Sequence, residues 1–552
     1  MIPVDAWRPA DGLTLEPNAF KAATEKLRSQ VLTAGPGAGK TEMLAQRSDF
    51  LLRTGTCRYP KRILAISFKV DASRNLKERV RRRCGADLAS RFDSFTFHAF
   101  AKRIIDRFRP LLTGDDALDM GYTIGDRRIA RKQIEFGDLV PFAIQILNGS
   151  NLARNAVRHT YSDVFLDEFQ DCTDKQYELV RTAFAGTAIR LTAVGDSKQR
   201  IMGWAGALDG IFQIFAQDFA ARSLNLYLNF RSKPRLLRVQ NEIIRTLDPP
   251  SVMPDEQIVG DDGEVLTWRF EDGQQEGEYL AEVISGWINA EHFPLSEIAV
   301  LVSKQLDLYA VHLMEALQAR GIPFRNEQQM QDITTEPAAR LIVDYLSCLF
   351  GSREPNAWMR LVTQMFPFAG EEEQMGIRRN VDRLIRQQRS KFAEREGGPY
   401  SLWWQDVEQF LREIGTEFLV ALSPDYENQT RLGDVLLETR EHIGELLRLE
   451  SNLPNALERF SDDQAVRILT IHKSKGLEFD SVVMMAVEDE IFFGNQDENR
   501  CAFFVGVSRA KTRLILTHAD RRDRPDGFRG RWYEVRTPRS EYFGYCNPFV
   551  SG

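Results

Sequence analysis

The stretch that decides the fold reads Val31-Leu32-Thr33-Ala34-Gly35-Pro36-Gly37-Ala38-Gly39-Lys40-Thr41, an apolar strand followed by a glycine-rich loop. Its glycines let the loop backbone curl N–H groups around a phosphate, and a helix beginning after the loop adds positive potential. Lys40 is predicted to reach the terminal phosphates of a nucleoside triphosphate, and the Thr41 hydroxyl to ligate Mg²⁺. The alternative is a flexible glycine loop, which has no need of Lys-Thr at that place. The predicted phosphate-binding loop residues are Ala34, Gly35, Pro36, Gly37, Ala38 and Gly39.

The second half of such a site should be an acidic pair at the end of an apolar strand. Residues 161–171 supply one, because a hydrophobic run leads into Asp167-Glu168-Phe169-Gln170-Asp171. Asp167 is placed to hold Mg²⁺, directly or through water, and Glu168 to polarise the attacking water. A surface acidic cluster is the alternative, and the loop upstream argues against it. Together the two stretches predict ATP and Mg²⁺ as cofactors.

Short apolar strands alternate with helical stretches along the rest of the chain. Buried hydrophobic strands with helices between them are typical of parallel α/β sheets. Residues 100–158 and 340–455 break this rhythm, and we predict that both are helical throughout. The clearest strand candidates are 30–34, 63–68, 164–166, 190–194, 224–228, 298–303, 467–471, 481–487 and 514–517.

Length and charge are compatible with a multidomain protein that binds nucleic acid locally. At roughly 100–200 residues per domain, 552 residues correspond to about three to five domains. The formal net charge of −7 excludes a globally basic protein but not a local basic stripe. A solvated helix face is the alternative for each stripe. The candidate stripes are Lys77, Arg79, Arg81, Arg82 and Arg83; Arg127, Arg128, Arg131 and Lys132; and Arg521, Arg522, Arg524, Arg529 and Arg531.

Cysteine usage and hydropathy favour a cytoplasmic protein. The six cysteines are scattered and none forms a Cys-x-x-Cys pair, which argues against zinc and iron–sulfur sites. Scattered cysteines suit a reducing compartment. The first eleven residues have no basic-then-apolar signal pattern, and no apolar run approaches the roughly 20 residues that span a membrane. We therefore expect no membrane partner.

Further motifs, in order along most of the chain, resemble those of superfamily 1 DNA helicases of the UvrD/Rep/PcrA type. With the glycine-rich loop and the acidic box, the resemblance implies two RecA-like P-loop motor domains with parallel sheets, each carrying an all-helical insertion. The other matching segments are Ile63-Leu64-Ala65-Ile66-Ser67-Phe68, Thr96-Phe97-His98, Val194-Gly195-Asp196-Ser197-Lys198-Gln199 with Gly203-Trp204, Asn229-Phe230-Arg231-Ser232, Thr470-Ile471-His472-Lys473-Ser474-Lys475-Gly476-Leu477-Glu478-Phe479-Asp480 and Val505-Gly506-Val507-Ser508-Arg509-Ala510.

The resemblance also implies an order of domains along the chain. The first motor domain is interrupted by one insertion and the second by another. The predicted segments are 1–100 and 159–230 for the first motor domain, 101–158 for its insertion, 231–340 and 456–552 for the second motor domain, and 341–455 for its insertion.

Roles at the nucleotide follow from the resemblance and agree with the chemistry of the side chains. Gln199 would sense the γ-phosphate, and the planar guanidinium groups of Arg231 and Arg509 would approach it from the second motor domain. A surface salt bridge is the alternative for each arginine. Phe230 would stack on adenine. The remaining residues that the resemblance places at the nucleotide are Asn18, Gly476 and Glu478.

DNA contacts need aromatic faces for bases and polar groups for phosphates. Phe68, His98, Trp204 and His472 fit by position, and core packing is the alternative for Phe68 and Trp204. Single-stranded or tailed duplex DNA is therefore the expected partner.

Three positions depart from the family pattern. Asn18 stands where an adenine-reading Gln is usual, and its shorter side chain bears on adenine selectivity. Ala205 replaces an arginine of the Trp-Arg-Gly-Ala segment, and Val70 replaces an asparagine. The last two positions belong to the DNA path that the resemblance implies. They favour a weaker coupling between DNA binding and the ATP site.

These observations predict an ATP-dependent DNA helicase or translocase on single-stranded DNA, with 3′-to-5′ polarity implied by the resemblance. One alternative is a regulatory ATPase that senses DNA ends and works with a partner nuclease. The compact chain also resembles the helicase-like subunit of Gabija, which implies a role in phage defence; the larger family implies DNA repair. Another alternative is an RNA helicase, which the motif wording disfavours.

Overall fold

The structure is a computed structural model of the whole chain. It describes residues 1–551 with the exception of 69, 126, 201–207, 327–332, 334–335, 352–353, 365–370, 421, 424–425, 427–428, 450, 461–464 and 526–527. Trp204 and Ala205 therefore lie outside the described residues, and the side chain of Val70 does so as well. No helix in the described part of the chain is long and apolar enough to cross a membrane.

Strands are numbered here in chain order. They are β1 (Gln30–Ala34), β2 (Arg62–Ser67), β3 (Phe92–Thr96), β4 (Leu118–Gly125), β5 (Arg131–Glu135), β6 (Tyr161–Leu166), β7 (Arg190–Gly195), β8 (Arg222–Leu226), β9 (Glu264–Asp272), β10 (Ile298–Val302), β11 (Phe324–Asn326), β12 (Val466–Thr470), β13 (Phe479–Met484) and β14 (Ala510–Arg521).

The α-helices are numbered in the same way. They are α1 (Pro17–Thr24), α2 (Lys40–Arg53), α3 (Val70–Cys84), α4 (Ala86–Ala89), α5 (Phe97–Phe108), α6 (Leu139–Gly149), α7 (Asn151–Thr160), α8 (Asp174–Phe184), α9 (Ile211–Asp218), α10 (Pro234–Leu247), α11 (Gly273–Ala290), α12 (Leu306–Tyr309), α13 (Val311–Ala319), α14 (Pro337–Phe350), α15 (Pro355–Gln364), α16 (Glu371–Arg389), α17 (Trp403–Ile414), α18 (Thr416–Val420), α19 (Gln429–Leu449), α20 (Leu453–Phe460), α21 (Gln496–Val507) and α22 (Ser540–Cys546).

The first sheet is parallel and runs in the order β3-β2-β6-β7-β1-β8. Alternate residues of its strands face opposite sides, and both sides are apolar. In β2, Leu64 and Ile66 pack with α5, α6 and α8, whereas Ile63 and Ala65 pack with α1, α2 and α3. Since β6, β7 and β1 are neighbours, the loops that follow them meet at one edge of the sheet.

The second sheet is also parallel, in the order β11-β12-β10-β13-β14-β9. Every residue of its central strand β10 is fully buried, as expected for a strand covered on both faces. Helices α10, α11, α13 and α21 supply the covering side chains. Two six-stranded parallel sheets confirm the predicted α/β class with two RecA-like motor domains.

The predicted helical character of the two insertions holds for only one of them. Within the described part of 340–455, all regular elements are helical. In contrast, 100–158 contains β4 and β5, which pair into a separate small sheet, so the prediction of an all-helical insertion there was wrong. Tyr122 and Ile124, two positions apart in β4, are both buried, as the two-residue period of a strand requires. In the sequence this strand lies between the helices α5 and α6. The domain boundaries remain a proposal.

Candidate nucleotide site and DNA-contact residues

The glycine-rich loop connects β1 to α2 as the sequence predicted. Gly37 and Gly39 have positive φ angles of 69° and 74°, a region that favours glycine. A side chain at Gly37 would also collide with Asn229. Helix α2 begins at Lys40, whose Nζ lies 3.9 Å from Oε1 of Glu168. The loop therefore presents its N–H groups, a helix N-terminus and a lysine on one side of the acidic pair.

The acidic pair directly follows β6, with Asp167 buried at 5% exposure. The N–H of Glu168 donates to Oδ1 of Asp167 at 3.0 Å, and Glu168 has a left-handed φ of 51°, which is uncommon for a residue other than glycine. Burial and then the charge of Glu168 raise the pKa of Asp167 to about 7. Burial acts to raise the pKa of Glu168, but the charge of Lys40 and a hydrogen bond from Gln170 lower it overall.

A chain of buried hydrogen bonds continues from the acidic pair along the first sheet. The Gln170 amide donates from Nε2 to Oε2 of Glu168 at 2.6 Å, and its Oε1 accepts from the N–H of Asp196 at 2.9 Å. Asp196 in turn accepts from Nε2 of Gln199 at 2.9 Å and pairs with Nζ of Lys198 at 2.8 Å. Gln199 is thus held at a fixed distance from Glu168.

Two residues from the second sheet's side, Arg509 and Lys475, contact the end of the first sheet that carries these hydrogen bonds. Nη2 of Arg509 donates to Oε1 of Gln199 at 3.2 Å, and Nζ of Lys475 pairs with Asp171 at 2.7 Å. Lys475 also donates to the backbone carbonyl of Gln199 at 3.0 Å. Burial and then the charge of Arg231 lower the pKa of Arg509 to about 9. An anion bound beside this fully buried guanidinium would favour its charged form and raise its pKa again.

Arg231 and its neighbours lie between the two sheets. The N–H of Phe230 donates to the carbonyl of Gly37 in the phosphate loop at 3.0 Å, and the Phe230 ring is 70% exposed. Arg231 pairs through Nε with Glu478 at 2.8 Å, and Nη1 donates to the carbonyl of Ser508. Phe230 and Arg231 thus lie next to the loop, and Glu478 contacts Arg231; their roles at the nucleotide remain predictions. Gly476 has a positive φ of 94° in the same segment as Glu478.

Asn18 lies beside the first sheet rather than free in the cleft. Its Nδ2 donates to the backbone carbonyl of Asn225 in β8 at 2.8 Å, so one amide hydrogen is already used within the protein. The carboxylate of Glu16 accepts from the N–H groups of Tyr227 and Leu228 at 3.3 and 2.8 Å. Burial is the largest cause of the raised pKa of Glu16. The reading of adenine by Asn18 remains a proposal.

The residues predicted to contact DNA are more dispersed. Phe68 is half-buried and packs edge-on against Phe97 with ring centroids 6.2 Å apart. The ring of His98 lies 4.2 Å from that of Phe136, and burial lowers the pKa of His98 to about 4. His472 is exposed after β12. Trp204 cannot be placed, because it lies outside the described residues.

The residues present fit ATP and Mg²⁺. In phosphate sites Mg²⁺ uses one or two protein oxygens and completes its shell with water and phosphate oxygens. Asp167 is a buried carboxyl with a raised pKa, which a bound cation would lower again. Thr41 lies in the first turn of α2. Among the described residues, the Thr41 hydroxyl has no hydrogen-bond partner. Asp167 and Thr41 would therefore hold the ion, and Lys40 the phosphates beside it.

Several residues that organise the site were not predicted as functional from the sequence. Gln170, Asp196 and Lys475 form the links described above, and Glu16 fastens the end of β8. Asp196 directly follows the buried strand β7, and Gln170 lies four residues after the end of the buried strand β6; these positions were the signal that could have identified them. Glu16 had no such signal, because its partners are backbone groups more than 200 residues away.

The fold and the site define a P-loop nucleotide-hydrolysing motor with two RecA-like domains. The family model of the UvrD/REP helicase N-terminal domain matches residues 15–127 and 122–220, and that of the UvrD-like helicase C-terminal domain matches 224–402 and 417–521. The chain therefore belongs to the UvrD-like helicases of superfamily 1, a class of ATP-hydrolysing enzymes, as predicted.

Individual relatives are similar over nearly the full chain. The protein named ATP-dependent DNA helicase PcrA of Leuconostoc citreum is 23% identical, over 89% of this chain and 80% of its own length. The protein named DNA helicase II of Escherichia coli is 23% identical, over 90% and 83%. The protein named ATP-dependent DNA helicase Rep of the same organism is 24% identical, over 88% of both.

Proposed function

We propose that this chain is an ATP-dependent DNA translocase that moves 3′-to-5′ along single-stranded DNA and separates duplex ahead of it. Single-stranded or tailed duplex DNA is its substrate, Mg²⁺ its metal cofactor and the cytoplasm its compartment. The three relatives compared above are all named as DNA helicases, which supports DNA as the substrate. The polarity follows from the resemblance to the UvrD/Rep/PcrA type.

The observation that carries the proposal is the continuous set of hydrogen bonds between the two sheets. It runs from Glu168 through Gln170, Asp196 and Gln199 to Arg509. A group at the acidic pair and a group on the second sheet are therefore mechanically connected. Through this connection, the presence or absence of the terminal phosphate beside Glu168 can favour either the closed or the open arrangement of the two sheets. A motor requires such coupling between its nucleotide and the movement of its domains.

Each side chain has a distinct task in this mechanism. Lys40 binds the terminal phosphates, and Glu168, which the nearby cations keep ionised, accepts a hydrogen bond from the attacking water and orients it. Arg509 and Arg231 approach the same phosphate from the second sheet and stabilise its negative charge. Mg²⁺, which Asp167 and Thr41 would hold, would neutralise negative charge on the phosphates. When the sheets separate, the Lys475–Asp171 and Arg509–Gln199 contacts break together.

A regulatory ATPase is the second candidate. Ala205, where the family has an arginine, favours it, because the missing cation would weaken the link between DNA and the nucleotide. In this case the chain would sense DNA ends and work with a partner nuclease in phage defence, without processive unwinding. The translocase would instead suit repair or replication.

Strand displacement separates these candidates. A labelled duplex with a 3′ tail, a 5′ tail or no tail is mixed with the protein and ATP, with matched RNA substrates and a Glu168→Gln control. We expect displacement of DNA only, only with the 3′ tail, and only in the wild type. Hydrolysis stimulated by DNA without displacement would support the regulatory ATPase, and preference for the RNA substrates would overturn DNA as the track.

A further inference from the structure

A cavity of about 770 Å³ opens at the edge of the first sheet opposite the phosphate loop. Its walls come from the residues that precede or begin β1, β2, β6 and β7, and from Thr54, Gly55 and Thr56 after α2. The phosphate loop follows the other end of β1. Strands of five or six residues at about 3.3 Å per residue separate the two sites by roughly 15–20 Å.

The cavity wall is strongly basic. Among the described residues, no acidic side chain lines it. A cleft lined by one sign of charge concentrates its field and attracts counter-ions. The basic lining residues are Lys26, Arg58, Lys61, Arg158, His159 and Arg190.

Two of these cations are structural parts of the wall. Arg190 pairs with Asp163 at 2.6 Å and donates from Nη1 to the carbonyl of Lys26 at 3.1 Å. Arg158 donates to the carbonyls of Ala183 and Ala185 at the end of α8, at 2.7 and 3.2 Å. Burial is the largest cause of the lowered pKa of Arg158.

The other four basic groups are not neutralised. Within the described part of the chain, Lys26, Arg58, Lys61 and His159 form no ion pair with a carboxylate. All four lie in the lining of one concave site, where the charges of Lys26, Arg58 and Lys61 repel one another unless an anion is present. This is unlike the nucleotide cleft, where Lys475 and Arg231 each face a carboxylate.

The lining also limits the kind of anion. No Trp, Tyr or Phe is among the described lining residues, so the walls offer few ring faces on which nucleobases could stack. The volume is that of a small-molecule pocket rather than of a long groove. We propose that this cavity binds a compact anion carrying several phosphate groups, at a site separate from the ATP site.

The proposal can be tested with inorganic tripolyphosphate. Binding is measured by calorimetry in a Lys40→Ala background, which removes the phosphate-binding lysine of the loop. Arg58→Glu combined with Lys61→Glu should weaken binding by about tenfold or more, since each removes a charged hydrogen bond. Arg28→Glu is the control for Arg58→Glu alone: it makes the same charge change at an exposed residue outside the lining, and should weaken binding by less than about threefold.

Three results would overturn the proposal. They are absence of binding in the Lys40→Ala protein, equal weakening by the Arg28→Glu control, and complete displacement of tripolyphosphate by an oligothymidylate at equal phosphate concentration. The last result would mean that the cavity follows a nucleic-acid backbone. Because Arg58 and Lys61 lie outside the nucleotide cleft, the double substitution in the wild-type background should leave basal ATP hydrolysis unchanged.

Discussion

The nucleotide cleft and the predicted DNA-contact residues differ in how their side chains are held. In the cleft, Gln170 and Gln199 each make two side-chain hydrogen bonds that fix their direction. Phe68 and His98 are instead positioned by packing against another ring. Phosphate chemistry needs directional groups, whereas a base needs only a face. Single substitutions should therefore cause large losses of activity in the cleft and smaller losses along the DNA path.

Of the substitutions predicted here, Lys40→Ala in the cleft should have the largest effect on ATP hydrolysis. Lys40 faces Glu168 across the phosphate position and does not belong to the core, so the fold should survive while hydrolysis is lost. Steady-state ATP turnover and the thermal unfolding midpoint are the measurements. Lys175→Ala, at an exposed residue of α8, is the control. Normal turnover in the Lys40→Ala protein would refute its assignment.

Glu168→Gln should reduce turnover by about 10²–10⁴-fold, the effect expected for a removed general base. The amide keeps the shape and leaves Asp167 intact, so the variant should still bind ATP. Nucleotide binding by fluorescence and turnover are measured together, with Glu178→Gln, at a partly exposed residue of α8 outside the cleft, as the control. Failure to bind nucleotide would mean that Glu168 has a structural role.

The cleft could be predicted from sequence far better than its surroundings. Strand β1 has the predicted bounds, because the apolar residues Val31, Leu32 and Ala34 lead directly into the glycine loop. Strand β9 was missed: only Val265 and Phe270 are buried in it, as is typical of a strand at the edge of a sheet. Strand β11 has three residues, too few for any period.

The cross-sheet contacts were beyond sequence reasoning for a different reason. Lys475 and Asp171 are 304 positions apart, and their pairing depends on how two separately folded sheets meet. Motif order indicated that both segments serve the nucleotide, but not which atoms touch. The strands β4 and β5 show the same limit, since their pairing is decided by the helices that enclose them.

Trp204→Ala should keep basal hydrolysis and lose most of the stimulation by single-stranded DNA. Trp204 is five residues after Gln199, so the loss of its ring should also loosen the link between DNA binding and hydrolysis. Removing one stacked ring weakens binding by about 1–3 kcal/mol. ATP turnover is titrated with oligothymidylate at increasing salt, which should weaken the stimulation.

Trp204→Phe is the matched control, because it keeps a ring and should retain the stimulation. The same pair of substitutions at Phe68, to Ala and to Tyr, tests the second stacking position. Unfolding of the Trp204→Ala protein would favour core packing. Unchanged stimulation would show that DNA runs elsewhere and would strengthen the regulatory ATPase.

The smallest predicted effect concerns His98, one of the predicted DNA-contact residues that is held by ring packing. Burial lowers the pKa of His98 from its usual 6.5 to about 4, so the folded protein holds the neutral ring. The unfolded chain binds the proton at the usual pKa, and the stability from His98 is therefore complete above pH 6.5 and lost as pH falls from 6.5 towards 4. Between pH 7.5 and 5 the loss should be about 1–2 kcal/mol. His98→Phe keeps the contact with Phe136 but cannot titrate, so its free energy of unfolding should fall less over this range. An equal fall in the free energy of unfolding of both proteins, measured by denaturant titration at the two pH values, would mean that the ring is accessible to water and free to meet DNA.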